Sequence, residues 1–216
     1  MENLNSIAVS SNALGRDSSL SPEYWISQRS TTRMTDGSTI SEFALIGSRG
    51  TSQIPSTALV LDTGNADRGL LSLKSLGADS KGRVSHKKVV PEGAVIVSRL
   101  RPYLRQITYI PVGTLAKLDV TAILCSTEFY VINPKDQGES IAFMVPWLLS
   151  KEVQKILEDA TTGGHHPRFD EDLLSRLTIP KSVLEKRQAV SAEVDRLIKS
   201  HLDAQLGLAK IVGNVD

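Results

Sequence analysis

Apolar and polar positions alternate in short blocks along most of this chain and change to a helical period toward its C-terminal end. Ser56–Asp62 (STALVLD), Ala94–Val97 (AVIV), Gln106–Ile110 (QITYI), Val120–Leu124 and Phe129–Ile132 (FYVI) are brief and apolar. Several are rich in β-branched or aromatic side chains, a composition that predicts strands. Turn formers separate them: TGNADRG at 63–69, Pro91 with Gly93, and Pro111 with Gly113. From about Ser140 the period lengthens. Ser150–Ala160 (SKEVQKILEDA) places Val153, Ile156 and Leu157 on one helical face, and Asp170–Pro180 reads as a short capped helix with a strand-like exit. Short strands with no βαβ or solenoid repeat predict an α+β fold. The expected organisation is a compact mixed domain over residues 1–180, followed by a long C-terminal helix over 181–216. Residues 1–55 fit the domain less clearly, although SPEYW at 21–25 has the cap, proline and acid of a helix start.

The last segment carries a second pattern. Val190, Val194, Leu197, His201, Ala204, Leu208 and Ile211 recur at intervals of four and three, a heptad seam with a polar break at His201 and Gly207 beside it. One helix over 181–212 is expected to reach roughly 48 Å at about 1.5 Å per residue. A helix of that length needs a partner, so the seam is read as a surface for a second copy or another subunit.

Bulk composition changes this picture little. The chain has 216 residues, 40% hydrophobic and 23% charged, with a formal net charge of +1. The single cysteine, Cys125, excludes an intramolecular disulfide framework and a cysteine zinc finger. The stretch MENLNSIAVSSN has neither the basic nor the apolar region of a secretory signal, and the apolar window at 141–149 falls short of a membrane span. A cytoplasmic location is the expectation.

Charge placement is more telling than its sum. Residues 1–67 carry a net −3, residues 68–117 a net +8, and residues 118–216 a net −4. The basic stretch contains PEGAVIVSRLRPYLRQITYIP, in which a strand-like run meets Arg99, Arg101 and Arg105. Arginine presents a planar multi-donor fork that suits phosphate and the guanine edge. In an extended chain these three would share one side, with Pro102 disturbing the phase. Arg83, Lys87 and Lys88 are candidates to extend the surface by holding phosphate. The loop TTGGHHPR adds His165 and Arg168, its paired glycines permitting a shaped backbone. A solvated face with internal acid partners, or an acidic protein as the ligand, are the competing readings of the same residues.

Catalytic signatures are missing from the sequence. There is no phosphate loop, dinucleotide fingerprint, HExxH or GxSxG string, no Asn/Asp-Pro-Pro-aromatic methyltransferase segment, and no metal-nuclease arrangement. Cys125 in AILCSTEF reads as a core thiol. Adjacent His165 and His166, with Cys125, Asp170 and Asp172, lack a recognised zinc spacing. Trp25 and Trp147 read as packing residues.

Several pieces in order resemble one family. These are Leu61 to Asn65 (LDTGN), Pro91 to Pro111 with its SRLRPYL core, Cys125 to Ile132 (CSTEFYVI), Thr161 to Arg168, and the exit Leu177 to Pro180 leading into EKRQ at 185–188. Together they resemble the specificity (S) subunit of type I restriction–modification systems over roughly residues 55–212. The match is to one target recognition domain with one following spacer helix. The resemblance implies a noncatalytic subunit that reads one half of a bipartite double-stranded DNA site. It implies partnership with an adenine methyltransferase that uses S-adenosylmethionine and, in cutting systems, with a motor–nuclease that uses ATP and Mg. No cofactor is expected in this chain. Full S subunits carry two recognition domains in about twice this length, and no internal repeat occurs here. A half-subunit, a fragment, or a recognition protein of a related defence system are the forms this suggests. A homodimer would then read a symmetric interrupted site, and a heteromer two unlike halves. Two alternatives stand beside this reading: a small metal-dependent nuclease with an unrecognised site, and a noncatalytic protein-interaction module of a defence complex.

Overall fold

A computed structural model describes residues 36–73 and 86–213. The SPEYW segment, Trp25 and Arg83 lie outside the described residues. The fold is α+β, with a mixed domain followed by a long C-terminal helix. Strand β1 (Gly37–Thr39) leads through helix α1 (Ile40–Phe43) to β2 (Ala44–Ile46), β3 (Gly50–Thr51) and β4 (Ala58–Leu61). A 3-10 turn at Thr63–Asn65 precedes the hairpin of β5 (Ala66–Asp67) and β6 (Leu70–Leu71). Next come β7 (Lys87–Val89), β8 (Val95–Ser98), a 3-10 turn at Pro102–Leu104, and β9 (Ile107–Tyr109). Helix α2 (Thr114–Leu118), β10 (Ala122–Ser126), β11 (Phe129–Pro134), α3 (Met144–Leu148) and α4 (Lys151–Asp159) follow. The chain ends with α5 (Glu171–Arg176), β12 (Thr178–Pro180), α6 (Lys181–Leu184) and α7 (Arg187–Val212).

Two four-stranded sheets organise the domain, in the orders β3-β7-β10-β4 and β2-β11-β8-β9. Consecutive strands β10 and β11 belong to different sheets, so the turn between them, which holds Glu128, joins the two. In β4 burial alternates, with Leu59 and Leu61 inward, as expected for a strand with one open face. Every residue of β8 is buried, which explains why AVIV reads as an uninterrupted apolar run. The core cluster takes Leu61, Ile123 and Cys125 from one sheet and Ile96, Phe129 and Ile132 from the other. Burial pushes the Cys125 thiol up to about 12, which suits a packing residue and not a nucleophile.

The C-terminal helix departs from expectation. The chain does not run as one rod from 181 to 212. It forms the single turn of α6 and then 26 residues of α7, about 39 Å long. The first five turns of α7 are docked on the domain. Ser191, Ile198 and Leu202 are buried, the Ser191 hydroxyl donates to Ser140 O and accepts from Phe143 N, and Lys117 meets Asp203 at 2.6 Å. Gln205 mimics a strand: its Nε2 donates to Leu71 O at 2.8 Å and its Oε1 accepts from Leu73 N at 2.7 Å. Only the turns beyond Gln205 run clear of such contacts among the described residues.

Candidate nucleic-acid interface

The basic segment does not stay extended. After β8 the chain enters a knuckle, Arg101–Arg105, in which Arg101 (φ 50°) and Arg105 (φ 54°) both adopt the left-handed conformation around the Pro102–Leu104 turn. The extended chain on which Arg99, Arg101 and Arg105 would share one side is therefore not formed, and the break falls at Pro102. Non-glycine residues reach that region only when their surroundings hold them there. The restraints here are backbone hydrogen bonds. Leu104 N donates to Arg101 O, Arg105 N to Pro102 O, and Arg101 N to Pro167 O. Pro102 is buried against the α4 side of the domain, while Tyr103 and Leu104 point out at 53% and 42% exposure.

Two further segments are fastened to this knuckle. The β5–β6 hairpin turns through Arg68 (φ 46°) and Gly69 (φ 96°), the paired positive angles of a two-residue primed turn. Arg68 N donates to Arg105 O and Gly69 N to Ile107 O, which seats the turn beside the knuckle. A side chain at Gly69 would meet Val145 at 3.3 Å as well as suffer the positive φ. On the other flank, the loop Thr161–Arg168 is held by Leu100 bridging to Arg168 and by the Arg101 guanidinium, which donates to His165 O at 3.3 Å and lies 3.2 Å from His166 Nδ1.

Beneath the knuckle sits an ion-pair hub. Glu128 accepts two hydrogen bonds from Arg168, Nε at 2.9 Å and Nη2 at 2.8 Å, and one from Arg99 Nε at 3.2 Å. The Arg168 hydrogen bond, opposed by partial burial and aided by Arg99, holds the Glu128 carboxyl below the usual carboxylate range. The Tyr130 hydroxyl, pushed up chiefly by burial, donates to Phe169 O at 2.9 Å. Lys88 Nζ lies 5.6 Å from the Tyr130 ring centre and donates to Phe129 O at 2.7 Å.

The sequence candidates therefore divide. Arg101, Arg105, His165 and Arg168 come together around the knuckle, with Arg99 at the hub below. Lys87 and Lys88 are neighbours on β7, where successive side chains point to opposite faces, so they do not extend one surface together. Sequence reading overlooked Arg68 and Glu128, and weighed His166 as a metal ligand without making it a DNA candidate. The primed turn at Asp67–Leu70 could have drawn attention to Arg68. Nothing local announces that Glu128 joins residues 29 and 40 positions away. Among the described residues, no carboxylate lies within 4 Å of Arg68, Arg101 or Arg105.

The helical seam is also divided. Val190 and Val194 pack against the domain core, and His201 is half-buried. Leu197, Ala204, Leu208 and Ile211 are exposed, with Leu208 and Ile211 above 60%. A separate cleft of about 280 Å³ lies where α7 begins, lined by Tyr109, Glu139, Ser140, Arg187, Ser191 and Asp195, with Arg187 paired to Glu139 at 3.5 Å. Among the described residues, no three His, Cys, Asp or Glu side chains converge as a metal-ligand group, and no helix is long and apolar enough to cross a membrane.

No protein-family model matches the chain, and no curated protein matches it. Among solved structures, it is similar to a chain from work on the structural basis of complex assembly and conformational transition of the type I R-M system. The TM-score is 0.50 and the identity 21%, over 82% of this chain and 45% of that one. The chain thus spans just under half of that protein, and the likeness is one of fold.

Proposed function

We propose that this chain is a noncatalytic specificity subunit of a type I restriction–modification assembly, reading one half of a bipartite double-stranded DNA site. The observation that carries the reading is the convergence of Arg68, Arg101 and Arg105 on one hydrogen-bonded framework, with no carboxylate beside them among the described residues. Arginines on fixed turns suit groove contacts, because little loop ordering remains to be paid on binding. The fold likeness to a type I R-M chain supports the same reading, as does the long helix after the domain.

Under this proposal the domain occupies the residues up to about Pro180, and the helical segment from Lys181 on docks partners. Arg99 and Arg168, held by Glu128, position the loop and offer their remaining N–H groups to phosphate. Lys87, with its half-exposed side chain, and His165 are secondary phosphate contacts, and Lys88 supports Tyr130 from within. The exposed stripe Leu197, Ala204, Leu208 and Ile211 pairs with a second copy or another specificity chain, or seats the modification methyltransferase. S-adenosylmethionine, and ATP with Mg where a motor–nuclease joins, belong to those partners.

Selection of bound duplexes from a random pool by the full chain, with and without its methyltransferase partner, tests the reading. The expected result is enrichment of a short motif whose retention falls steeply with salt. Failure of any duplex to bind at low salt, with or without the partner, contradicts it.

A further inference from the structure

Among the described residues, the large apolar side chains left exposed are not scattered. Apart from Leu45 and Val112, they fall on α7 or on the knuckle and its neighbouring turn, where Leu70, Tyr103 and Leu104 are 39%, 53% and 42% exposed. An apolar tip in the middle of a cationic surface is an unusual use of sequence. It is not a by-product of looseness. Pro102 fixes its own φ and is buried, and helix α4 supports the knuckle from behind. Left-handed arginines close the knuckle at both ends, and four backbone hydrogen bonds tie its residues to one another or to the flanking turn and loop. The chain therefore holds Tyr103 and Leu104 outward on a rigid stem.

From this geometry, and resting on the DNA reading above, we infer that Tyr103 and Leu104 form an apolar probe that packs on the bases of the duplex while the surrounding arginines hold its backbone. Charge complementarity selects this occupant. Duplex DNA is a polyanion whose apolar parts, the base faces and thymine methyl groups, lie inside a groove lined by phosphate. A tip with Arg101 and Arg105 at its two ends and Arg68 on the adjoining turn has the matching arrangement: cationic rim, apolar centre. Arginines supply affinity that does not depend on sequence, and the tip supplies choice. Tyrosine suits this role because its ring offers large contact area with few torsions to freeze.

The test uses the full chain and a random-sequence duplex pool at low salt, irradiated with ultraviolet light, with nucleotide-linked peptides mapped by mass spectrometry. The expected adduct falls on the peptide containing Tyr103. Tyr103→Ala, whose side chain is exposed and whose thermal melt checks folding, loses that adduct. It also loses about tenfold in preference for the selected motif over random duplex, with little change in the slope of affinity against salt. Leu104→Ser shows a smaller loss of the same kind. Adducts confined to other peptides, together with unaltered motif preference in Tyr103→Ala, overturn the probe while leaving the arginine reading in place. So does a Tyr103→Ala variant that keeps its DNA preference but no longer retains a protein partner. A wild-type chain that holds no duplex at all overturns the DNA reading and the probe with it.

Discussion

The arginines around the knuckle fall into two sets that are held in different ways. Arg99 and Arg168 are side-chain anchored: both guanidiniums converge on the one carboxylate of Glu128, which answers half of their charge within the fold. Arg68, Arg101 and Arg105 are backbone anchored: each sits at a positive φ, restrained by main-chain hydrogen bonds, and none lies against a carboxylate among the described residues. The first set spends its charge on structure, joining the β10–β11 turn to the end of β8 and to the loop that ends at Arg168. The second set leaves its charge unmatched by a carboxylate among the described residues, which is what the proposed DNA contact requires. A count of basic residues treats the two alike. Their geometry does not.

Replacing Arg68, Arg101 and Arg105 together by alanine is expected to give the largest effect on DNA. Affinity should fall about 100-fold or more at low salt, with a shallower salt dependence in a titration of duplex binding. Alanine is no better suited than arginine to positive φ, so the melting temperature should not rise, and the loss is to be judged against it. A triple variant that binds DNA as wild type does would erase the distinction between the two sets.

The next effect in size falls on stability. Glu128→Ala leaves two neighbouring guanidiniums without their shared counter-charge and loosens the loop up to Arg168. The pairs are more than a third exposed on the arginine side, so screening limits the loss to about 1–2 kcal/mol in denaturant unfolding at neutral pH. Arg105→Ala should cost less stability and more DNA affinity. The reverse order in those two variants would show the assignment to be inverted.

Acidification should separate the sets again. Glu128 titrates below its unfolded value, so the unfolded chain takes up the proton first as pH falls. The hub's contribution is fully present above the ordinary carboxylate pKa of about 4.3 and is lost as pH drops through the lower folded value. Glu128→Gln should therefore flatten the stability profile between roughly pH 5 and the acid transition. Unchanged acid dependence in that variant would mean that the hub is idle.

The smallest expected effect on folding belongs to the helix. Leu208→Glu, at a side chain 63% exposed, should alter stability by about 0.5 kcal/mol or less. It should nevertheless change the assembly state seen by solution mass measurement, alone or with the proposed methyltransferase partner. An unaltered assembly would remove the exposed stripe from the account.

Much of the framework was legible in the sequence because it is local. The run AVIV overlaps β8 with a shift of one residue, FYVI falls within β11, and SKEVQKILEDA contains α4. What escaped is non-local or runs against propensity. The parallel pairing of β4 with β10 joins residues more than sixty positions apart. Arginine has no intrinsic reason to adopt a positive φ at 68, 101 and 105; tertiary hydrogen bonds impose it. The seam was misjudged at its start because α7 docks partly through polar groups, Ser191 and Gln205, which a hydrophobic pattern passes over. That docking places Val190 and Val194 against the domain and leaves the later seam residues open.

The proposed sequence choice is most directly measured by mapping adenine methylation on genomic DNA treated with this chain assembled with a type I modification methyltransferase. The account predicts methylated adenines confined to one interrupted motif, with methylation of that motif reduced when Arg101 and Arg105 are both replaced by alanine. An identical methylation pattern with this chain omitted, or methylation without any motif, would contradict it.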